Sequence, residues 1–290
     1  MKKKILIIGA NGLIGSTLSI YFKLKKFNII TGFRSFDKIN DKTIPHFFYS
    51  DLRFKKNWKK IKNKILTFKP EYLINCVGIT KHNKNVKNME IINIHFPSFL
   101  SKITVPYKFK LIHLSTDCVF DGKIGDYSEK SIPTEDNSYG KTKAEADKKI
   151  VENKNTTILR SSALGHELSG HKNLLDWFIR CDDKKIYGFK NAFFSGPTTL
   201  EYAKILTKFL KKKNIQGLYN VGTNRISKLN LLILVNKIYK LGKIIKINKK
   251  FNIDRSLNIG KFRRTFKYKP KSWSLLLKEQ KIFYEKHFKQ

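Results

Sequence analysis

The first fifteen residues constrain the fold most. Ile5-Leu-Ile-Ile runs directly into Gly9-Ala-Asn-Gly12-Leu-Ile-Gly15. A short apolar run, a glycine-rich turn and a helix-forming stretch in that order read as a buried strand, a tight turn and a helix start. Gly9 permits the turn, Gly12 lets the backbone approach a phosphate, and Gly15 lets the helix lie close to the strand. The amides and dipole of the helix start favour an anion. Gly9, Asn11, Gly12, Leu13, Ile14 and Gly15 are therefore the expected contacts to the pyrophosphate of a dinucleotide. The spacing is G-x-x-G-x-x-G, and its position directly after the first strand is what gives it weight.

The same strand-then-helix rhythm continues. Apolar runs near Ile5–Ile8, Asn28–Thr31, Phe47–Tyr49, Tyr72–Cys76, Phe109–Leu114 and Thr157–Leu159 read as strands. Helical patterns near Leu13–Lys25, Phe54–Phe68, Val86–Ile103 and Ser138–Glu152 lie between them. Such alternation predicts a parallel sheet with right-handed crossovers, a doubly wound α/β fold of Rossmann type. After Arg160 the rhythm changes: a helix near Leu174–Arg180, a strand near Lys185–Tyr187 and a turn at Gly196-Pro197. A helix (Leu200–Lys211), a strand (Leu218–Val221), a helix (Lys228–Tyr239) and a last helix from about Trp273 follow. The expected division is a nucleotide-binding domain over residues 1–165 and, over 166–290, mainly a smaller α/β substrate-binding lobe that packs directly on the first, with interleaving of the two left open.

At 290 residues and 41% hydrophobic content, the chain can bury a sizeable core. The net charge of +38 invites a nucleic-acid reading, but the cations are spread along the whole chain and only eight are Arg. Arg is the residue suited to bidentate phosphate and base recognition, so no specific nucleic-acid partner is expected. The field can still steer an anionic substrate. Cys76, Cys118 and Cys181 are far apart without metal-ligand spacing, which suits a reducing, cytoplasmic setting. The absence of any apolar run of about 18 residues predicts no membrane insertion. His82, His95, His113, His166 and His171 fall on different elements, so no metal site is expected.

At the end of the second strand an acidic residue would hold the ribose hydroxyl of NAD. Here the sequence reads Thr31-Gly32-Phe33-Arg34-Ser35, and the Arg34 cation suits the 2′-phosphate of NADP, with NAD as the alternative. Asp51 and Leu52, after the third strand, are placed to meet an adenine. Asn75-Cys-Val-Gly78 ends the fourth strand; Cys76, Val77, Gly78 and, just beyond, Thr80 are the expected contacts beside the nicotinamide ribose.

Thr116 stands at the carboxyl end of the strand Phe109–Leu114, where open parallel sheets bind ligands. Tyr139 and Lys143 are four residues apart on a predicted helix and share a face. An ammonium beside a phenol lowers the phenol's pKa, so the expectation is a Tyr139 that exchanges a proton with an alcohol or ketone near neutral pH. In a chain with 60 Lys and Arg the pair alone is a common helix face; the glycine turn and Thr116 give it meaning.

G-x-x-G-x-x-G, Asn75-Cys-Val-Gly78, Thr116 and Tyr139-x-x-x-Lys143 together resemble the extended short-chain dehydrogenase/reductases. Ser115-Thr-Asp-Cys-Val-Phe-Asp-Gly122, Tyr127-Ser-Glu, Pro133 and Tyr139-Gly-Lys-Thr-Lys143 are similar to the dTDP-4-dehydrorhamnose reductase group of sugar-nucleotide enzymes. Leu159-Arg-Ser-Ser162, Ser195-Gly-Pro-Thr198 and Arg255-Ser-Leu match weaker blocks in order. The resemblance implies a reductase of the 4-keto group of a nucleotide-diphosphate deoxysugar in surface polysaccharide biosynthesis. It makes Thr116, Tyr139 and Lys143 catalytic: Tyr139 donates the proton, Lys143 binds the nicotinamide ribose and tunes Tyr139, and Thr116 bonds the reacting oxygen. Thr116, Asp117, Tyr139, Ser162 and Phe194 are the implied substrate contacts, and a homodimer stands open.

Two stretches depart from the group. Ala163 stands where a Trp is frequent, and Ile79-Thr-Lys-His-Asn83 differs from the usual pattern. Dehydratases on this fold carry Asp-Glu after the Thr, whereas here Asp117 is followed by Cys118, which disfavours elimination. A nucleotide-sugar epimerase remains an alternative. So does a non-catalytic NADP-binding regulatory subunit like relatives that partner methionine adenosyltransferase.

Overall fold

The computed structural model describes residues 3–34, 41–80, 85–168 and 172–288. Ser35, His82 and His171, and the Lys81–Asn83 part of the divergent loop, lie outside the described residues.

Seven strands build the main sheet: β1 (Lys4–Ile8), β2 (Asn28–Phe33), β3 (His46–Phe48), β4 (Tyr72–Asn75), β5 (Lys110–Leu114), β6 (Thr156–Arg160) and β9 (Gly217–Asn220), in the order β3-β2-β1-β4-β5-β6-β9. Every pairing in it is parallel. The chain reverses its direction of growth between β1 and β4, and this switch point is where such sheets open a ligand crevice.

The sheet is covered on both faces, which is why its central strands read as unbroken apolar runs. Successive side chains of β1 point to opposite faces. Ile5 and Ile7 enter a core with α1 (Leu13–Leu24), α7 (Thr199–Lys211), α9 (Gly260–Phe266) and α10 (Trp273–His287). Leu6 and Ile8 enter the opposite core, with α2 (Trp58–Phe68) and α4 (Phe96–Lys102). These four β1 side chains are fully buried.

The predicted single helix over Val86–Ile103 is interrupted. A short helix α3 (Val86–Glu90) passes through a π-helical turn at Ile91–His95 into α4. Pro97, in the first turn of α4, has no amide to donate back, so the hydrogen-bond register widens there. The expected helix Phe54–Phe68 likewise starts as a 3-10 turn, Lys55–Asn57, before α2.

The stretch after residue 165 is shared between layers. Strand β9 joins the main sheet, and α7 packs on α1 through a Thr17–Thr199 hydroxyl bond of 3.0 Å. The remainder forms two small sheets. One comprises β8 (Ala192–Phe194) between β10 (Ile226–Ser227) and β12 (Ile253–Asp254); the other pairs β7 (Lys185–Phe189) with β11 (Ile244–Asn248). A separate apolar cluster holds these against α6 (Leu174–Arg180), α8 (Lys228–Tyr239) and α10. Strands β8, β10, β11 and β12 went unpredicted because two- to five-residue segments in a Lys- and Asn-rich stretch carry little periodicity.

Candidate active site

A cleft of about 310 Å³ opens at the switch point. Gly9, Asn11, Gly12, Arg34, Asp51, Leu52, Cys76, Val77 and Gly78 line it, so nine of the expected cofactor contacts converge from four strands. Gly9 has φ of +80°, and a Cβ there would lie 2.9 Å from the Val77 amide nitrogen. A Cβ on Gly15 would lie 2.2 Å from the Gly9 carbonyl oxygen, so Gly15 sits beneath the turn as a spacer. Leu13 and Ile14 form the first turn of α1, whose N-cap Gly12 offers no side-chain oxygen to occupy the helix amides. Thr80 is exposed and is absent from the cleft lining.

Four further residues of the lining escaped the sequence reading: Tyr49, Arg53, Ile79 and Ile92. Arg53 donates from Nε to the Asp51 carboxylate at 2.8 Å, and this bond holds Asp51 below the usual carboxylate range. Asp51 thus arrives at the cleft already paired, and two guanidinium groups, Arg34 and Arg53, stand at one rim. Asn93, from the π-helical turn, also went unread. Its Oδ1 accepts from the Ile79 amide at 2.9 Å, and its Nδ2 donates to the Ile79 carbonyl and to Thr142 Oγ1. A lone Asn inside a predicted helix gives no sign of such bridging.

Beyond the cleft, β5 delivers Thr116 and α5 (Ser138–Ile150) delivers Tyr139 and Lys143. Asn137 caps α5 by accepting from the Gly140 amide at 2.9 Å. Gly140 is where α5 presses on the turn Asp117–Val119; a Cβ there would lie 2.4 Å from the Cys118 carbonyl oxygen. This close approach sets the buried Tyr139 hydroxyl near enough to Thr116 to influence its titration. Thr116 Oγ1 also accepts from the Cys118 amide at 3.1 Å, which fixes its rotamer.

The electrostatics depart from expectation. Tyr139 is pushed up from the ordinary phenol value, chiefly by burial and further by Cys118 and Asp117, with Thr116 opposing. The Lys143 side chain is turned toward β5: Nζ lies 2.8 Å from the Leu114 carbonyl oxygen and 3.1 Å from His113 Nε2. Burial lowers Lys143 from 10.5 to about 8, against the opposing pull of Asp147. Tyr139 is therefore a protonated acid at neutral pH rather than a ready phenolate.

Asp117 is buried beside Ser162, Cys118 and Thr116, and its carboxyl is raised by that burial. Ser162 thus reaches the site. Phe194 does not converge with them: its ring packs on Trp273 at 5.4 Å and belongs to the apolar cluster of the small layer. Arg255 does reach in, donating from Nε to the Phe120 carbonyl at 2.8 Å, pairing with Glu135, and passing 3.8 Å from Cys118 Sγ. The small layer therefore contributes a cation next to Asp117.

The family described as RmlD substrate binding domain matches residues 2–231. The chain belongs to that family. Among its curated relatives, methionine adenosyltransferase 2 subunit beta of Bos taurus is 26% identical over 180 residues, covering 57% of this RmlD-family chain and 48% of the relative. The dTDP-4-dehydrorhamnose reductase of Aggregatibacter actinomycetemcomitans is 28% identical over 153 residues, covering 50% and 51%. The chain spans about half the length of the curated relatives it matches. In fold it is similar to dTDP-4-dehydrorhamnose reductase from Bacillus anthracis in complex with NADP, with a TM-score of 0.81, 19% identity and coverage of 97% and 99%. It is likewise similar to the Bordetella bronchiseptica enzyme WbmG in complex with NAD and UDP, with a TM-score of 0.82, 15% identity and coverage of 99% and 96%. No helix among the described residues is long and apolar enough to cross a membrane.

Proposed function

We propose that this chain is an NADP(H)-dependent reductase of the 4-keto group of a nucleotide-diphosphate deoxysugar, working in surface polysaccharide biosynthesis. One observation carries the reading: Thr116, at the carboxyl end of β5, lies close to the buried Tyr139 hydroxyl of α5, with Lys143 one helical turn away and a glycine-floored cleft at the ends of the neighbouring strands. The family and the reductases among its relatives support it.

The cleft suits a dinucleotide. The Gly9 turn leaves no room for a side chain, the α1 amides have no side-chain cap, and Arg34 and Arg53 suit a ribose 2′-phosphate. When bound, the nicotinamide supplies the hydride. The protein's part is to orient the ketone and to hold a proton. Tyr139 carries that proton, since burial keeps the phenol protonated, and gives it to the carbonyl oxygen. Thr116 bonds the same oxygen, and Lys143 binds the nicotinamide ribose. Asp117, Ser162 and Arg255 surround the reacting centre and are the polar groups available to the sugar.

The alternative as a regulatory subunit draws on the relatives that are methionine adenosyltransferase subunits. The retained Thr116, Tyr139 and Lys143 argue for chemistry, because a binding module has no need of all three. Incubation of the purified chain with NADPH and dTDP-4-dehydrorhamnose separates the readings. Oxidation of NADPH with formation of the 4-hydroxy sugar is the expected result. NADPH binding without turnover over a panel of nucleotide 4-keto sugars would favour the regulatory role, and sugar isomerisation without net NADPH loss would favour epimerisation.

A further inference from the structure

His113 is completely buried in the middle of the sheet, and it touches the residue on which the chemistry depends. Its Nδ1 lies 3.1 Å from Asn75 Nδ2, and its Nε2 lies 3.1 Å from Lys143 Nζ. Donor and acceptor accounting settles where the protons are. Asn75 Oδ1 accepts from the Val77 amide at 3.1 Å, so its NH2 group faces His113. An NH2 group only donates, and His113 Nδ1 must therefore accept. A neutral imidazole with an accepting Nδ1 carries its hydrogen on Nε2. That hydrogen points at Lys143 Nζ, and an ammonium has no lone pair to receive it. The amine form does: it accepts from His113 and donates to the Leu114 carbonyl at 2.8 Å.

We propose that Asn75 and His113 are positioning residues that respond to the protonation of Lys143, the arrangement seen here being that of its neutral amine, and couple that protonation to the cofactor cleft at Val77. When Lys143 gains a proton it can only donate toward His113. His113 must then carry its hydrogen on Nδ1, and Asn75 must present its oxygen there. The Asn75 amide turns, and the Val77 amide, which lines the cleft, loses its acceptor. One proton on Lys143 thus rearranges four groups in line and frees a backbone N–H at the cleft floor.

The surroundings limit the alternatives. The titratable and charged groups facing Lys143 are His113 from β5 and, on its own helix, Tyr139 and Asp147. Asp147 is engaged by Ser115 at 2.9 Å and by Arg160 of β6 at 2.8 Å. Both Lys143 and His113 are shifted toward their neutral forms by burial, in keeping with the amine-imidazole pair. The catalytic importance of this line rests on the reductase reading, but its proton positions do not.

The test uses the full ligand-free chain labelled with 15N-histidine and 15N-valine, followed by NMR from about pH 7 to about pH 10. Long-range nitrogen–proton correlations distinguish the two imidazole tautomers, and His113→Gln identifies the His113 signals by their loss. The expected result is the Nε2–H tautomer at alkaline pH, with His113 and the Val77 amide changing at one shared midpoint that vanishes in Lys143→Met. Asn75→Asp, which can only accept at that position, should invert the tautomer to Nδ1–H. An Nδ1–H tautomer at alkaline pH in the wild-type chain would overturn the proposal. So would a Val77 amide that stays fixed while His113 changes, or a shared midpoint that survives in Lys143→Met. Because no substrate is added, a failure here is distinct from a failure to reduce a sugar.

Discussion

Arg160 donates from Nε to Asp147 Oδ2 at 2.8 Å, and both side chains are all but removed from water. The pair ties β6 to α5 directly behind Lys143, and Ser115 adds a second bond to the same carboxylate oxygen. Removing one partner of a buried pair strands the other charge, which typically costs about 3–5 kcal/mol. Asp147→Ala should therefore lower the unfolding free energy from urea titration by that order, while the joint replacement of Asp147 with Leu and Arg160 with Met should recover much of the loss. A single variant that unfolds at the wild-type midpoint would remove the pair from the structural account of α5.

Tyr139→Phe takes away the proton donor and leaves the cleft untouched. Turnover with NADPH and a nucleotide 4-keto sugar should fall by about two to four orders of magnitude, the usual contribution of a positioned general acid. NADPH affinity, followed by quenching of protein fluorescence, should stay within a few-fold of wild type. Wild-type turnover in this variant would exclude Tyr139 as the acid.

Arg34 lies on the cleft rim, near enough to Asp51 and Tyr49 to influence the titration of both. Arg34→Asp places a carboxylate where a ribose 2′-phosphate would sit and where the hydroxyl of NAD would be welcome. The ratio of kcat/KM for NADPH over NADH should drop by at least about tenfold, which is about 1.4 kcal/mol. An unchanged ratio would transfer the 2′-phosphate to Arg53 or to a residue outside the cleft rim.

Burial lowers Lys143 from 10.5 to about 8 in the folded chain. Between those two values the unfolded chain holds more protons than the folded one, so stability rises with pH across that window. Below about pH 8 the penalty of burying the ammonium is fully present. The wild-type chain should gain stability relative to Lys143→Met between about pH 8 and about pH 10.5, with a slope approaching about 1.4 kcal/mol per pH unit. Paired denaturant titrations at several pH values measure this difference, and parallel curves would place the Lys143 ionisation elsewhere.

Much of the fold was written in local pattern. Four isoleucines and leucines before Gly9 are buried on both faces of a central strand, and continuous apolarity is the mark of such a strand. The glycine turn was legible because its requirements are local: Gly9 needs a positive φ, and Gly15 needs an absent Cβ. Thr116, Tyr139 and Lys143 were legible for the same reason, one at a strand end and two on one helix face. By contrast, Pro97 redirected an unbroken helical pattern into a π-helical turn, and the short strands of the small layer lacked the length for any period to register.

What the sequence determined by itself is the alternation of strands and helices in the main sheet, the glycine turn at its centre, and the placing of Thr116 at a strand end with Tyr139 and Lys143 on one helix. What only the tertiary structure decided is their state. The Asn75, His113 and Lys143 side chains come from three elements and meet inside the sheet, where burial outweighs every local influence on the lysine. Tyr139 is protonated for the same reason, and Phe194 is a packing residue because Trp273, 79 positions later, folds back onto it. Spacing along a chain fixes which groups share a face, but desolvation and long-range partners fix which of them carry a proton.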